Sequence, residues 1–239
     1  MTISRRIRSI LPNSAIREIN KIRFWKYRQR FGSMERRDVF STVYEERIFG
    51  SAPGQAYYSG DGSAEQFAQS YVELVADHIA QHGITSIVDL GCGDFRIGSR
   101  IAPLVPQYRG IDIVPQLVQY NTRHYGSERV SFECLDIVDD PLPPADLCLI
   151  RQVFQHLNNS EIFSVLNKLS VYRWSIITEN VPGGTTACPN LDHVHGPKIR
   201  LVEGSGVFVT EAPFSRAAVR TWDSPYDGNS KLLTVLLKS

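Results

Sequence analysis

Short apolar runs alternate with amphipathic segments along most of the 239-residue chain. Runs that are rich in β-branched residues and bounded by Gly or Pro predict buried strands. A predicted helix from Ser63 to His82 precedes the first of them. The predicted strands are 84–90, 108–113, 130–135, 146–150 and 174–178, and the predicted helices between them are 96–105, 115–125 and 160–172. This alternation predicts an α/β fold, a parallel, doubly wound sheet with helices on both faces.

The last part of the chain follows a different pattern. Two apolar runs, 217–222 and 231–238, are separated only by residues 223–229. A parallel crossover needs a dozen or more residues, so this short connection predicts an antiparallel hairpin. The sequence therefore predicts a mostly parallel, seven-stranded sheet that ends in a hairpin.

The first 50 residues predict a helical extension ahead of this sheet. Ile16, Ile19 and Ile22 recur at helical spacing with basic residues between them, which predicts an amphipathic helix over about 14–32. A second short helix is predicted over 34–47, and a loop with Gly and Pro follows it. We therefore divide the chain into a helical extension (1–50) and an α/β domain (51–239).

Charge is distributed unevenly between the two ends of the chain. Residues 1–37 carry eleven Lys and Arg against two Glu, a net of +9, whereas the remainder carries 15 basic and 23 acidic residues, a net of −8. Such a basic arm can serve as a lid on an acidic body, contact a membrane surface, or bind nucleic-acid phosphates. Its Ile, Trp and Phe content favours the lid or the membrane over nucleic acid, and the lid is our first choice.

Composition places the chain among ordinary globular proteins, with 42% apolar and 21% charged residues. No apolar run approaches the ~18 residues of a membrane-spanning helix, and the N-terminus lacks the apolar stretch of a secretion signal. Four scattered cysteines without zinc-ligand spacing predict free thiols and no metal. We expect a cytoplasmic protein, peripheral to a membrane if the arm binds one.

Candidate chemistry begins where the first strand ends, at Asp89-Leu90-Gly91-Cys92-Gly93. Two alternating glycines let the backbone turn sharply and approach a ligand. Arg96 stands where a dinucleotide fingerprint would carry its third glycine. Asp112 ends the second strand and suits ribose hydroxyls, while Asp136-Ile137 follows the third and suits an adenine ring. Either acid alone could simply end a strand, but together with the glycine turn they predict a nucleoside site.

These segments resemble a known superfamily. Residues 87–93 closely resemble the first motif of class I S-adenosylmethionine-dependent methyltransferases, and residues 110–115 are similar to the second. Residues 145–157 look like the fourth strand and the active-site segment that follows it. The resemblance covers roughly residues 60–239. It implies a Rossmann-like fold, S-adenosylmethionine as cofactor and methyl transfer as the reaction.

The resemblance also implies a set of cofactor-binding residues. Phe95 stands where many members carry a third glycine, and we expect its ring to pack over the methionine part of the cofactor. Residues 58–63 are similar to a Gly/Ser-rich segment that lies over the cofactor in some bacterial members, although a plain capped loop is an equal alternative. The implied cofactor residues are Asp89, Gly91, Cys92, Gly93, Phe95, Asp112, Ile113, Asp136, Ile137, Arg151 and Gln152.

Two missing sequence motifs restrict the class of methyl acceptor. The Asn/Asp-Pro-Pro-aromatic run of adenine N-methyltransferases is replaced by Arg151-Gln152-Val153-Phe154, and the cysteine pairs of cytosine methyltransferases are missing. Both observations disfavour base methylation. The sequence predicts O-methylation of a saccharide or another small-molecule hydroxyl, and leaves RNA or protein methylation and a non-catalytic partner subunit as alternatives.

Four residues are candidates for catalysis. His156 follows the fourth strand, and its alternative role is packing or capping. His193 and His195 alternate in a loop, so both would face one side as a general base or, with Asp192, as ligands of a divalent ion; a solvent-exposed loop is the other interpretation. Glu179, at the end of the fifth strand, is predicted to bind an acceptor hydroxyl.

Overall fold

The computed structural model describes residues 25–63, 65–184 and 187–239. Residues 25–31 are helical and are followed by five labelled helices. These are α1 (Arg36–Glu45), α2 (Glu65–His82), α3 (Gly98–Ile101), α4 (Pro115–Tyr125) and α5 (Asn159–Lys168). The strands are β1 (Ser86–Leu90), β2 (Gln107–Asp112), β3 (Val130–Cys134), β4 (Leu147–Arg151), β5 (Trp174–Pro182), β6 (Cys188–Pro189), β7 (Ser205–Gly206), β8 (Arg220–Asp227) and β9 (Ser230–Lys238).

The main sheet has seven strands in the order β3-β2-β1-β4-β5-β9-β8. β1 to β5 are parallel, and β9 runs antiparallel to both β5 and β8. In β4, Cys148 and Ile150 pack into one apolar cluster and Leu147 and Leu149 into another. Because successive side chains of a strand point to opposite faces, the two clusters are the two faces of the sheet. The predicted α/β fold with a closing hairpin is confirmed.

The closing hairpin is tighter than predicted. Its first strand covers Arg220–Asp227, so the predicted loop at 223–229 shrinks to Gly228 and Asn229. Asp, Pro and Gly in this stretch resemble a loop, yet Trp222, Ser224 and Tyr226 alternate as half-buried positions of a strand. Pro225 is tolerated because β8 is an edge strand, where a missing N–H costs no ladder bond.

Two other elements differ in length from their predictions. The helix predicted over 96–105 consists of the four-residue α3 and a 3₁₀ turn at Ala102–Leu104. Pro103 explains this, because it cannot donate the next helical hydrogen bond. β5 continues past Thr178 to Pro182, since β9 pairs with it over its whole length.

The helical extension is described only from residue 25 onwards. Val39 and Val43 of α1 are buried against Phe31 of the 25–31 helical segment. The first part of the basic helix predicted over 14–32, residues 14–24, lies outside the described residues, and the part from 25 to 31 is helical. Among the helices that the structure describes, none is long and apolar enough to cross a membrane.

Candidate active site

A deep cleft lies at the carboxyl ends of β1, β2 and β4, next to α1. It contains about 1090 Å³ of empty space, its open mouth included. The structure brings ten of the eleven predicted cofactor residues together along this cleft. These are Asp89, Gly91, Cys92, Gly93, Asp112, Ile113, Asp136, Ile137, Arg151 and Gln152.

The glycine turn after β1 has a backbone conformation and close neighbours that leave no room for a side chain. Gly91 and Gly93 have φ angles of +77° and +56°. A Cβ atom on Gly91 would collide with Val153, and one on Gly93 would collide with Ser59. The N–H groups of Gly91 and Cys92 both donate to the carbonyl of Ile111, at 2.8 and 2.9 Å. Glycine is therefore required at both positions.

Asp112 connects this turn to the next helix. Its carboxylate accepts the N–H of Gly93 at 3.0 Å and the N–H of Val114 at 3.1 Å. Burial raises the pKa of Asp112 to about 6. A carboxylate offers roughly four acceptor positions, so capacity remains for further donors such as ribose hydroxyls.

The side chains at the β1–β4 end of the cleft also suit a polar ligand. The hydroxyl of Tyr108 donates to Asp89 at 2.6 Å, and burial raises the pKa of Asp89 to about 6. Arg151 donates to the carbonyl of Gly62 at 2.7 Å. Within the described part of the chain, Nε of Arg151 and Nε2 of Gln152 are buried donors without a partner. Such donors are costly unless a ligand satisfies them, so these residues fit a cofactor with an anionic group.

The carboxylate of Asp136 is hydrogen-bonded to Arg36 of α1 and to the backbone of its own loop. Oδ2 accepts from Nε of Arg36 at 2.9 Å, and Oδ1 accepts the N–H of Val138 at 2.9 Å. Arg36 also pairs with Asp139 and, at 3.0 Å, with Glu161. One guanidinium thus attaches α1 to the loop that follows β3.

Among the cleft residues that sequence reasoning missed are the three that α1 contributes, Arg36, Phe40 and Tyr44. They occupy positions i, i+4 and i+8 of α1, which form one face of a helix, while Val39 and Val43 form another. The hydroxyl of Tyr44 lies 2.8 Å from Oγ of Ser59. The helical spacing of these three residues was the available signal, and α1 closes the cleft with that face.

The segment at residues 58–63 covers the glycine turn. The N–H of Ser59 donates to Asp94 and the N–H of Asp94 donates to Oγ of Ser59, both at 2.8 Å. Arg96 donates to the carbonyl of Gly60 at 3.1 Å. These contacts attach the segment to the turn that follows β1, and its role in covering a cofactor stays a prediction.

Phe95 does not line the cleft, contrary to expectation. Its side chain is buried among aromatic rings, with centroids 5.6 Å from Tyr108, 5.1 Å from Tyr125 and 4.8 Å from Phe132. Its φ angle is +63°, a left-handed conformation that favours glycine. The backbone of Phe95 thus keeps the conformation that a glycine adopts readily, while its ring joins the apolar core.

His156 lies at the other end of the cleft. Its Nδ1 is 3.0 Å from the carbonyl oxygen of Gly196. A carbonyl can only accept, so Nδ1 carries the proton and Nε2 is an acceptor. Burial lowers the pKa of His156 to about 4 and keeps the ring neutral. The rings of Phe40 and Phe49 pack against it, at centroid distances of 6.3 and 5.1 Å.

Glu179 faces away from the cleft, which contradicts the predicted hydroxyl-binding role. Its carboxylate accepts backbone N–H groups of Val153, Phe154 and Gln155. Burial raises the pKa of Glu179 to about 7, against the effect of these donors and of Arg200. The pattern of the strand located this residue correctly but not the direction of its side chain.

The structure also separates His193 and His195 from the cleft. His195 is held by Glu161 at 2.7 Å through Nδ1 and by the carbonyl of Met34 at 3.0 Å through Nε2. His193 is 6% exposed, and burial lowers its pKa to about 3. Asp192 accepts the N–H of Asn159 instead of joining a metal site. Within the described ranges no three His, Cys, Asp or Glu side chains are grouped to hold a metal ion.

The comparison with known proteins identifies a domain within the chain. A family model described as a methyltransferase domain matches residues 87–172, which span the glycine turn, Asp112, Asp136 and His156. Residues 87–172 therefore form a methyltransferase domain, which is the domain of an enzyme.

Solved structures share the fold of this methyltransferase at low sequence identity. Magnesium protoporphyrin IX methyltransferase from Synechocystis PCC 6803, with bound S-adenosylhomocysteine, has 18% identity and a TM-score of 0.53, and the match covers 84% of this chain and 98% of that one. The N-methyltransferase NodS from Bradyrhizobium japonicum WM9, also with S-adenosylhomocysteine, has 12% identity and a TM-score of 0.55, covering 82% and 99%. No curated protein matches the chain in sequence.

Proposed function

We propose that this enzyme methylates a hydroxyl oxygen of a small molecule, such as a saccharide, with His156 as the general base. One observation carries the proposal. His156 lies in the same cleft as Gly91 and Asp112, and its Nδ1–H is committed to Gly196. Its Nε2, which lies 3.4 Å from the side-chain amide nitrogen of Gln155, is therefore the nitrogen that would take the acceptor's proton once the acceptor replaces that weak contact.

The chemistry suits a weak base. S-adenosylmethionine, when bound, supplies an electrophilic methyl group. A hydroxyl becomes strongly acidic as its oxygen gains a methyl group, so a neutral imidazole with a low pKa is sufficient to take the proton. The His156 ring is neutral at pH 7 because its pKa is lowered to about 4.

The shape of the cleft favours a small acceptor over RNA or protein. α1 lies across the cleft, attached by Arg36 to Asp136 at one end and by Tyr44 to Ser59 at the other. Phe40 and Phe49 add apolar walls next to His156. A helix and aromatic walls over the reacting centre exclude water and leave room for a compact molecule. The alternative membrane-surface role concerns the basic N-terminal arm, and residues 1–24 of that arm lie outside the described residues.

The test is turnover of S-adenosylmethionine with a panel of methyl glycosides, catechol and phenol, a peptide mixture and an RNA pool. Formation of S-adenosylhomocysteine and of the methylated product is followed by mass spectrometry. We expect product from a hydroxyl acceptor and a loss of about 100-fold or more in kcat for His156→Gln. His124→Gln is the matched control, because His124 is exposed and outside the cleft.

Three outcomes would contradict the proposal. Methylation restricted to peptide or RNA would support the macromolecular alternative. Cofactor binding without turnover on any of these probes would favour a non-catalytic partner subunit. An unchanged kcat in His156→Gln would exclude this residue as the base.

A further inference from the structure

An acidic and a basic side chain are buried together beneath the turn that follows β4. The first is Glu179 of β5, which is 2% exposed. Its Oε1 accepts the N–H of Val153 at 3.2 Å and of Phe154 at 2.8 Å, and its Oε2 accepts the N–H of Gln155 at 3.0 Å. One carboxylate therefore satisfies three consecutive backbone donors.

The second is Arg200, which is 1% exposed. Its Nη1 donates to the carbonyl of Phe154 at 3.1 Å, and its Nη2 donates to the carbonyl of Leu157 at 2.8 Å. The same guanidinium reaches Asn159 at 2.9 Å and the carbonyl of Leu191 at 2.8 Å. Glu179 thus holds the donors of the turn and Arg200 holds its acceptors.

This turn forms the wall of the cleft at its catalytic end. Val153, Gln155, His156 and Leu157 all line the cleft. Val153 also packs so closely on the glycine turn that Gly91 has no room for a Cβ atom. A small displacement of the turn would therefore change the distance between the cofactor side of the cleft and His156.

The side chain of Gln155 lies next to the ring of His156, so its position depends on the turn and affects the base. Its Nε2 donates to the carbonyl of Gln152 at 3.2 Å and lies 3.4 Å from Nε2 of His156. Its Oε1 is buried and has no hydrogen-bond partner among the described residues. Movement of the turn would shift this amide and the imidazole together.

Burying two charges is expensive, and well-packed apolar side chains often stabilise a fold as well or better. Stability alone is therefore a weak reason for this arrangement. The hydrogen bonds of both groups converge on one short turn, and that turn carries the catalytic end of the cleft.

We propose that Glu179 and Arg200 are positioning residues for methyl transfer, which together fix the turn at residues 153–157 and thereby orient Gln155 and His156. The inference rests on the proposed function only as far as His156 is the base. It predicts that either charged residue can be altered without direct loss of a cofactor contact, yet with a change in the His156 ring.

The test is ¹⁵N NMR of the full-length protein with labelled histidine, bound to S-adenosylhomocysteine. In the wild type, His156 is expected as the Nδ1–H tautomer. In Glu179→Gln, an amide replaces one acceptor oxygen with a donor that faces a backbone N–H, so we expect a mixed tautomer and at least tenfold faster hydrogen exchange of the Phe154 and Gln155 amides.

Thr178→Val is the matched control for this experiment. Thr178 neighbours Glu179 in β5, is buried, and bonds Thr234 at 2.8 Å through its hydroxyl on the opposite face of the sheet. We expect this variant to lose stability without changing the His156 spectrum. Arg200→Lys keeps the charge but cannot reach all four acceptors. It is therefore the second test variant if Glu179→Gln does not fold.

The readout separates this inference from the proposed function. An unchanged His156 tautomer and unchanged amide exchange in a folded Glu179→Gln or Arg200→Lys variant would overturn the positioning role. Full activity of His156→Gln would instead overturn the assignment of His156 as the general base, and the NMR result would still hold. Where an acceptor is turned over, the variants should lower kcat at least tenfold with less than a threefold change in the KM for S-adenosylmethionine.

Discussion

Nε of Arg36 donates to Oδ2 of Asp136 at 2.9 Å, across 100 residues of sequence. Asp136 and Arg36 both line the cleft, and Arg36 belongs to α1. The same guanidinium bonds Glu161 at the start of α5. One ion-pair network therefore joins α1 to the carboxylate that follows β3 and to the start of α5.

Arg36→Met should loosen α1. Removal of the guanidinium leaves Asp136 and Glu161 without their shared partner, and losing one member of a largely buried ion pair costs about 3 kcal/mol. Chemical denaturation would measure the loss in the free energy of unfolding, and limited proteolysis should show faster cleavage near residues 33–50. Arg37→Met, at an exposed neighbouring position, should leave both unchanged. Equal effects of the two substitutions would contradict the network.

Because of the contact between His195 and Glu161, part of the free energy of unfolding should be lost as the pH becomes alkaline. The hydrogen bond to Glu161 raises the pKa of His195 above its ordinary value of 6.5. The pair therefore stabilises the fold fully below about pH 6.5, and this contribution is lost as pH rises through the folded-state pKa.

The free energy of unfolding measured from pH 5.5 to 9 tests this dependence. His195→Gln should flatten the decline on the alkaline side, whereas His124→Gln should reproduce the wild-type curve. A wild-type protein whose stability rose over that range relative to His195→Gln would show that the sign is wrong.

The sequence predicted which residues meet at one end of the cleft because the determinants of that end are local. A glycine turn directly after a buried strand, and acids directly after the next two strands, must meet at one edge of a parallel sheet. The position of α1 depends instead on pairing between Arg36 and residues a hundred positions away. The direction of Glu179 depends on which face of β5 packs against the 153–157 turn. Periodicity along the chain contains neither relationship.

The histidine pair at positions 193 and 195 shows the same limit. Alternate positions share a side only in a regular extended strand, and this segment is an irregular loop. One ring is buried near Arg200, and the other contacts Glu161 of α5 and the carbonyl of Met34, just before α1. The partners of His195 are therefore distant from it in sequence.

Phe95 and Gly93 should respond to substitution in opposite ways. Phe95→Gly suits the left-handed backbone but removes a buried ring, so it should cost about 3 kcal/mol of stability with no more than a twofold change in affinity for S-adenosylhomocysteine. Gly93→Ala introduces a Cβ against Ser59 at a positive φ, so it should weaken that affinity about tenfold or more. Scanning and titration calorimetry on both variants measure the stability and the affinity. A large loss of affinity in Phe95→Gly would show that the Phe95 ring contributes to cofactor binding after all.

Asp112→Ala should weaken cofactor binding by about 1.5–3 kcal/mol, because a charge-assisted contact to the ribose hydroxyls would be lost. The carboxylate also holds the N–H groups of Gly93 and Val114, so part of the effect could come from a distorted turn. Asp112→Asn separates the two causes, since its amide oxygen can still accept one of these N–H groups. Titration calorimetry with S-adenosylmethionine should show weaker binding in both variants and no change in Glu133→Ala, an exposed carboxylate on β3. Unchanged affinity in a folded Asp112→Ala variant would remove Asp112 from the cofactor site and leave it as a connector between the glycine turn and α4.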